Sequence, residues 1–162
     1  ADAGGAPAAR VVLLRGRGPD GLDFYTNYES RKGRDLAANP RAALVLYWAP
    51  VGRQVRVEGA VARLPREASA AYFAGRPRDS QVGAWASRQS AAVASRAELE
   101  ARVREAEARF AAGEVPLPDF WGGYRLRPAR WEFWQAHPYR MHYRFRYEPA
   151  PGGGWTVDRL SP

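Results

Sequence analysis

The sequence predicts a β-dominated α+β fold, in which an antiparallel barrel is surrounded by peripheral helices. About eight short segments are rich in β-branched and aromatic residues, and most of them are neighbours along the chain, as antiparallel strands usually are. Three or four further segments have helical spacing and capping residues. Because the sequence contains no internal repeat and no dividing linker, we expect a single domain over residues 1–162.

The predicted strands are segments in which apolar residues alternate or cluster between turn residues. They are residues 10–15, 22–27, 41–48, 53–64, 121–127, 130–135, 142–148 and 155–160. Gly59 interrupts the fourth strand and predicts a β-bulge. The turn from Gly16 to Gly21 matches the letters of a G-x-G-x-x-G dinucleotide motif, but a strand rather than a helix follows it. The dinucleotide interpretation is therefore disfavoured.

The predicted helices begin at capping residues and end near glycine or proline. They run from Ser30 to about Asn39, from Arg66 to Ala74, from Asp79 or Ser80 to about Arg88, and from Ser95 to about Gly113. Ser95 and Glu98 form a capping box at the start of the last helix. That helix has apolar residues on one side and charged residues elsewhere, which is typical of a packing helix.

Composition excludes several functional classes. The 162 residues include no cysteine, which excludes disulfides, thiolate metal ligands and a thiol nucleophile. No apolar run approaches the roughly 20 residues of a membrane span, and no signal peptide opens the sequence. We therefore expect a cytoplasmic protein without a membrane partner. The first residues, Ala1–Gly5, resemble a turn entered in the middle of a protein, so we expect residues before Ala1.

The net charge of +8 indicates either an anionic ligand or an arginine-rich soluble surface. Lys32 is the only lysine, so the arginine bias resembles a codon preference and weakens any argument from arginine abundance. The basic residues are scattered rather than gathered on one helix. Nucleic-acid binding is therefore not expected.

Two positions suggest where an anion would bind. Arg31 and Lys32 occupy the first turn of the predicted helix after Ser30, where the helix dipole disfavours cations. An anion held by these side chains and by the free N–H groups of the helix would remove the repulsion. Solvated charges on a surface turn are the alternative, and this pattern alone leaves both open.

A second candidate site lies near the C-terminus. Arg140, His142 and Arg144 occupy every second position and would share one face of a strand, toward an anionic or polar ligand. Met141, Tyr143 and Phe145 would face the other way. Aromatic residues beside a row of cationic donors suit a flat, phosphorylated ligand.

The residues needed for hydrolysis or metal catalysis are scarce. The sequence has two histidines, no G-x-S-x-G nucleophile motif, and no His and carboxylate cluster with metal-ligand spacing, so no metal is expected. Phosphate-binding groups and aromatic residues favour a bound cofactor that supplies the chemistry.

Several longer segments are very similar to motifs of the pyridoxine/pyridoxamine 5′-phosphate oxidase family. They are Arg76–Trp85 (RPRDSQVGAW) with Gln89–Ser90, Gly113–Gly123 (GEVPLPDFWGG), Tyr25–Thr26, Ser30–Lys32, Arg53–Val55, Glu132–Gln135 and Asp158–Pro162. The matches are colinear from about Arg10 to Pro162. The resemblance implies the FMN-binding split barrel and a homodimer with FMN at the subunit interface. From the resemblance we also expect this sequence to lack the family's N-terminal extension and first strand.

The resemblance also implies a role for each matching residue. The FMN-binding residues would be Arg10, Arg15, Tyr25, Thr26, Arg31, Lys32, Gln54, Gln89, Ser90, Trp134 and Arg144. The substrate, a phosphorylated pyridine, would contact Arg15, Tyr72, Arg76, Ser80, Arg140 and His142. Arg140 and His142 would be the catalytic pair over the substrate ring. The implied reaction is hydride transfer from substrate to flavin, followed by reoxidation by O2 with release of H2O2.

Two departures from the family pattern leave an alternative substrate open. The family usually has lysine at the position of Arg15 and aspartate at the position of Tyr143. These changes motivate a related flavin oxidase of secondary metabolism, similar to phenazine-biosynthesis oxidases, as the second hypothesis. A non-catalytic flavin-binding, anion-binding or nucleic-acid-binding module is the third.

Overall fold

The computed structural model describes every residue from Ala1 to Pro162. The elements follow in the order β1 (Gly16–Gly18), β2 (Gly21–Asn27), α1 (Arg31–Ala38), β3 (Arg41–Trp48), β4 (Arg53–Arg63), α2 (Arg66–Ala74), α3 (Arg78–Ala86), α4 (Arg96–Arg109), β5 (Trp121–Gln135), β6 (Tyr143–Pro149) and β7 (Trp155–Arg159). Short 3₁₀ turns cover Ala49–Val51 and Pro138–Arg140. The predicted β-dominated α+β fold is confirmed.

All strands belong to one antiparallel sheet that is organised around β5. One edge of β5 pairs with β4 from Tyr124 to Gln135. Its other edge pairs first with β2, over residues 121–126, and then with β6, over residues 131–135. Pro128 lies in the gap between these two partners, where a missing backbone N–H costs no ladder hydrogen bond. The sheet is therefore split on this side.

Two apolar clusters lie on the sheet. The first packs side chains of β2, β4 and β5 together and consists of Leu22, Phe24, Val57, Val61, Tyr124 and Leu126. The second joins the helices to the start of β5 and consists of Phe73, Val82, Ala106, Phe110, Val115 and Trp121. Burial of these side chains stabilises the fold at about 25 cal/mol per Å² of apolar surface. The second cluster also fixes α2 and α3 beside β2.

Several predicted boundaries need correction. Residues 10–15 do not form a strand, because only the Arg15 N–H reaches a partner, the carbonyl of Asp23, and β1 begins one residue later. The two strands predicted at 121–127 and 130–135 are one continuous strand, because β4 pairs along both. The predicted bulge is confirmed by the register shift between Glu58 and Gly59. The strand count is seven rather than eight.

Two helix boundaries also differ. The third predicted helix begins at Arg78 after Pro77, so the expected caps Asp79 and Ser80 are in its first turn. Proline at this position fixes φ near the helical value and brings the start forward. The fourth helix ends at Arg109, before the expected stop at Gly113. No helix has both the length and the apolar composition of a membrane span.

The prediction that Arg140, His142 and Arg144 share one face of a strand is wrong. Arg140 lies in the 3₁₀ turn with a positive φ of 61°, and β6 begins only at Tyr143. A chain reversal between β5 and β6 requires this turn, so the period of two does not extend back to Arg140. Arg140 therefore lies in the turn, His142 lies just before β6, and Arg144 lies within β6.

Candidate functional site

A cleft of about 940 Å³ collects ten of the residues singled out in the sequence. It lies between the segment before β1, strand β2, the α2–α3 corner and the segment after α3. The ten residues are Arg10, Arg15, Tyr25, Thr26, Lys32, Tyr72, Arg76, Ser80, Gln89 and Ser90. We call this the basic cleft.

The charge of the basic cleft is one-sided. Arg10, Arg15, Lys32 and Arg76 line it, and none of its 20 lining residues is acidic. Only Arg10 among these four has a carboxylate within 4 Å, that of Asp35, and cations that share a cavity repel one another, which costs more where water is excluded. Such a cavity is suited to anions with several charges, of which phosphate esters are the common case.

Lys32 is held by neutral oxygens alone. Its Nζ donates hydrogen bonds to Thr26 Oγ1 and Gln89 Oε1, each at 2.7 Å, and to Ser30 Oγ at 3.3 Å. Ser30 also caps α1, because its Oγ accepts from the Gly33 N–H at 3.2 Å. Burial, with Arg10 nearby, lowers the pKa of Lys32 below the ordinary lysine value. A bound anion would reverse that effect by stabilising the ammonium form.

Arg31 is separated from the other two predicted phosphate ligands. Its side chain is exposed and does not line the cleft, and its Nε lies 3.9 Å from Asp35 Oδ2. Arg10 approaches the same carboxylate oxygen at 3.8 Å from the cleft side. Asp35 therefore sits between the two arginines, a role that sequence reasoning missed. The i,i+4 spacing from Arg31 was the available signal.

An aromatic wall forms one side of the basic cleft. The Tyr25 and Tyr72 rings stack with centroids 3.8 Å apart, and Trp121 lies parallel to Tyr72 at 6.1 Å. Burial, followed by the nearby Asp23 charge, raises the pKa of Tyr25. Trp121 was not predicted as a site residue, although its position inside the GEVPLPDFWGG segment was a usable signal.

Arg76 packs against the aromatic wall and has a guanidinium nitrogen without a hydrogen-bond partner in the protein. Its guanidinium carbon lies 4.6 Å from the Trp121 ring, and its Nη1 is buried without a hydrogen-bond partner in the protein. Burial lowers the pKa of Arg76, while the nearby Tyr72 opposes this shift and Arg15 adds to it. Buried donors are normally paired, so a guanidinium nitrogen with no acceptor from the protein is suited to an acceptor on a ligand. Tyr72 precedes Arg76 by four residues, and Ser80 lies in the first turn of α3.

Apart from Arg31, the predicted residues that do not line the basic cleft are Gln54, Trp134, Arg140, His142 and Arg144. Gln54 and Trp134 pair across β4 and β5 and line a second cavity of about 740 Å³, which is mostly apolar and includes Tyr143. The His142 ring lies 4.7 Å from the Trp134 ring. We call the surface formed by Gln54, Trp134 and Tyr143, with His142 against Trp134, the aromatic surface.

The two surfaces occupy opposite ends of β5. Tyr25 of the basic cleft pairs with Gly123, and Trp134 lies eleven residues further along the strand. Eleven residues correspond to roughly 36 Å of strand at about 3.3 Å per residue. One chain therefore does not bring all of the predicted residues together.

Arg144, next to the aromatic surface, is fixed by a buried carboxylate. Its Nε donates to Glu132 Oε1 at 2.8 Å, and its Nη1 donates to the Ser161 carbonyl at 2.9 Å. Arg56 holds the other Glu132 oxygen at 3.1 Å. The hydrogen bond from Arg144 lowers the pKa of Glu132. Glu132 thus orients Arg144, which sequence reasoning did not anticipate.

Comparison with known proteins gives matches over almost the whole chain. A family model described as pyridoxamine 5′-phosphate oxidase matches residues 1–110, and one described as the pyridoxine 5′-phosphate oxidase C-terminal dimerisation region matches residues 121–162. A pyridoxine/pyridoxamine 5′-phosphate oxidase from Bordetella petrii is 57% identical over 161 residues, which cover 99% of this chain and 76% of that protein.

Two solved structures share the fold. PhzG from Burkholderia lata, in complex with tetrahydrophenazine-1-carboxylic acid, has a TM-score of 0.92 at 33% identity, covering 100% of this chain and 79% of that one. A pyridoxamine 5′-phosphate oxidase-related, FMN-binding protein from Nostoc punctiforme has a TM-score of 0.76 at 17% identity, covering 99% and 83%. The predicted split-barrel class is thereby confirmed.

The Glu132 ion pairs lead to a prediction about stability. Replacing Glu132 by glutamine leaves Arg144 and Arg56 without their shared anion, so we expect a loss of about 2–4 kcal/mol in the free energy of unfolding at pH 7. Because the folded-state pKa is lowered, this stabilisation is complete above the ordinary glutamate pKa of about 4.3 and is lost as pH falls through the folded value.

Urea denaturation from pH 7 downward measures the effect, with Glu107→Gln on an exposed position of α4 as the control. The difference between the wild type and Glu132→Gln should shrink below about pH 4.3. A difference that stayed constant down to acid pH would contradict the assignment.

Proposed function

The chain belongs to the pyridoxamine 5′-phosphate oxidase family, and we propose that it oxidises pyridoxine or pyridoxamine 5′-phosphate to pyridoxal 5′-phosphate with FMN as cofactor. Molecular oxygen would be the electron acceptor and H2O2 the second product. The observation that carries the proposal is the basic cleft, which has four cations, no acidic residue and a volume of about 940 Å³. That volume lies in the range of cofactor sites.

The donor groups of the cleft fit FMN. Lys32 and Arg10 supply cationic donors for the FMN phosphate at the start of α1, where backbone N–H groups also favour an anion. Arg31 would join them after releasing Asp35. Thr26 and Gln89 contact Lys32, and together with Ser90 they offer polar groups to the ribityl chain and ring edge, while Arg15 and Tyr25 also line the cleft.

A second anion would bind at the aromatic wall. The unpaired Nη1 of Arg76 is the donor for the substrate phosphate, with the Tyr72 hydroxyl and Ser80 beside it. Arg15, whose guanidinium lies 5.9 Å from the Tyr72 ring, is close enough to act on both ligands. Two phosphate groups in one cleft account for four cations better than one group does.

We infer that the site is completed by a second copy of the chain. The aromatic surface carries Gln54 and Trp134, with Arg144 beside it, and roughly 36 Å of strand separates it from the cleft of its own chain. The match to a C-terminal dimerisation region supports a homodimer. A two-fold arrangement would bring the aromatic surface of each subunit over the basic cleft of the other, with FMN at the interface.

When bound, FMN supplies the oxidative chemistry, which is hydride acceptance from the substrate and electron transfer to O2. The protein residues position the reactants and supply positive charge. Arg140 and His142 would contact the substrate ring, and Trp134 would cover the cofactor and limit its access to water. Arg144, held by Glu132, would present its remaining Nη2 donor to the cofactor.

A second candidate function is oxidation of a different aromatic substrate. The TM-score of 0.92 to PhzG favours it, as does Tyr143 where the oxidase family usually has aspartate. Sequence identity is lower for PhzG, at 33% against 57%. The free donors of Arg76 also argue against a substrate without phosphate, because such a substrate would leave them unpaired.

Turnover tests the proposal directly. The purified protein should show a flavin absorption spectrum and release H2O2 with pyridoxamine 5′-phosphate under air. Pyridoxamine without the phosphate should react far more slowly, because it lacks the group that Arg76 binds. Bound FMN without turnover would favour the second candidate function, and no affinity for flavin would exclude both.

Arg76→Ala separates the two anion sites. Loss of a charge-assisted hydrogen bond should raise the KM for the phosphorylated substrate roughly 10- to 100-fold, with FMN content unchanged. Steady-state kinetics and flavin absorbance measure the two quantities. Arg17→Ala is the control, since Arg17 is exposed on β1 and does not line the cleft. Loss of FMN in Arg76→Ala would mean that the two phosphate sites are exchanged.

Mixed dimers test the composite site. Lys32→Met damages the cleft and Trp134→Ala the aromatic surface, so each homodimer should retain little FMN. A heterodimer, isolated through two affinity tags, has one site with both changes and one with neither. It should bind about one FMN and keep about half of the wild-type activity. A heterodimer with no more FMN than the two homodimers would place both surfaces in one subunit's site.

A further inference from the structure

His142 is bound through one ring nitrogen to the backbone of its own loop. The His137 N–H donates a hydrogen bond to His142 Nδ1 at 3.2 Å. A ring nitrogen accepts a hydrogen bond only when it carries a lone pair, so Nδ1 has no proton in this arrangement. In the neutral imidazole the proton is then on Nε2.

The turn between β5 and β6 aims the His137 amide at this ring. Tyr139 and Arg140 both have left-handed backbone conformations, with φ of 57° and 61°, and Met141 N–H closes the turn on the Pro138 carbonyl at 3.1 Å. Non-glycine residues rarely adopt these angles, so the turn is strained.

Packing holds both partners of the hydrogen bond. The Trp134 ring lies 4.7 Å from the His142 ring and restricts its rotation. The His137 ring packs edge-on against Tyr143 at 5.0 Å, which holds the residue that donates the amide. Tyr143, a departure from the family pattern, therefore contributes indirectly to the orientation of His142.

We propose that the His137 amide fixes His142 as the Nε2–H tautomer, so that His142 donates a hydrogen bond to the substrate and does not accept a proton from it. This inference rests on the proposed function in assigning the substrate as the acceptor. His137 is a positioning residue that acts through its backbone. With Nδ1 occupied and Nε2 protonated, the imidazole has no free lone pair for base catalysis.

The tautomer also implies a specificity. A fixed Nε2–H favours a ligand that presents an acceptor atom, such as a ring oxygen anion or a pyridine nitrogen. A ligand that presents a donor at the same place would leave two donors facing each other, and its binding would be weaker.

Nitrogen-15 NMR of histidine-labelled protein tests the tautomer without substrate, so the result is independent of the turnover test. The chain has two histidines, and His137→Ala identifies the His142 signals while keeping the backbone N–H at residue 137. In the neutral form of the His142 ring we expect a protonated Nε2 and an unprotonated Nδ1. A neutral ring with its proton on Nδ1 would overturn the proposal.

Two substitutions test the role in turnover. Glutamine at position 142 can place an amide N–H near the position of Nε2, whereas asparagine can only replace the acceptor near Nδ1. If donation from Nε2 matters, His142→Asn should lower kcat/KM roughly tenfold more than His142→Gln does, which is the value of one hydrogen bond. Equal losses, or a greater loss in His142→Gln, would refute the donor role.

Discussion

The architecture depends on the backbone pairing of one long strand, β5, with three different neighbours. Pairing with β4 along one edge keeps its 15 residues continuous, while the other edge changes partner from β2 to β6. That change splits the sheet and sends the two ends of β5 to different surfaces. The first end supports the basic cleft through Trp121, and the last end carries Trp134 and the aromatic surface. A single element therefore determines which residues one chain can bring together.

Pairing with carboxylates distinguishes cations that are neutralised within the protein from cations whose charge remains available to a ligand. In a chain with 25 basic residues, abundance alone indicates little. On the sheet, Arg56, Arg125 and Arg146 are each within 3.1 Å of a carboxylate. In the basic cleft, Lys32 has only neutral partners, and Arg76 has a buried nitrogen with none. The uncompensated cations are the ones whose charge is available to a ligand.

The sequence predicts the secondary structure well where the cause is local and less well where it is not. Ser30 capping, the Gly59 bulge and the helix from Arg66 to Ala74 follow from residue type and spacing, and the structure has them. Residues 10–15 have strand composition but no partner ladder, and composition does not reveal pairing. The alternation predicts a strand at Arg140, but it extends through a turn whose positive φ angles no residue type there predicts.

For the candidate site, too, the sequence predicts what depends on residue type and not what depends on non-local contacts. Motif resemblance supplies the residues of both surfaces, but the separation of the surfaces is a property of strand register, which a list of site residues does not contain. Asp35, Trp121 and Glu132 were missed because each acts through its contacts with another site residue. A carboxylate that orients an arginine cannot be recognised before the arginine's neighbours are known.

Arg144 and Arg76, which are proposed to contact ligands from the two different surfaces, differ in whether a carboxylate neutralises their charge. This difference suits them to different roles. Arg144 is neutralised by Glu132, so it adds little net charge to a cofactor but has a fixed position, with two of its nitrogens already bonded. Arg76 carries uncompensated charge but has fewer geometric restraints. Precise orientation is most useful beside a flat ring system, whereas charge is most useful beside a phosphate. The aromatic surface is therefore suited to orienting the reacting rings, and the basic cleft to capturing the anions that bring them there.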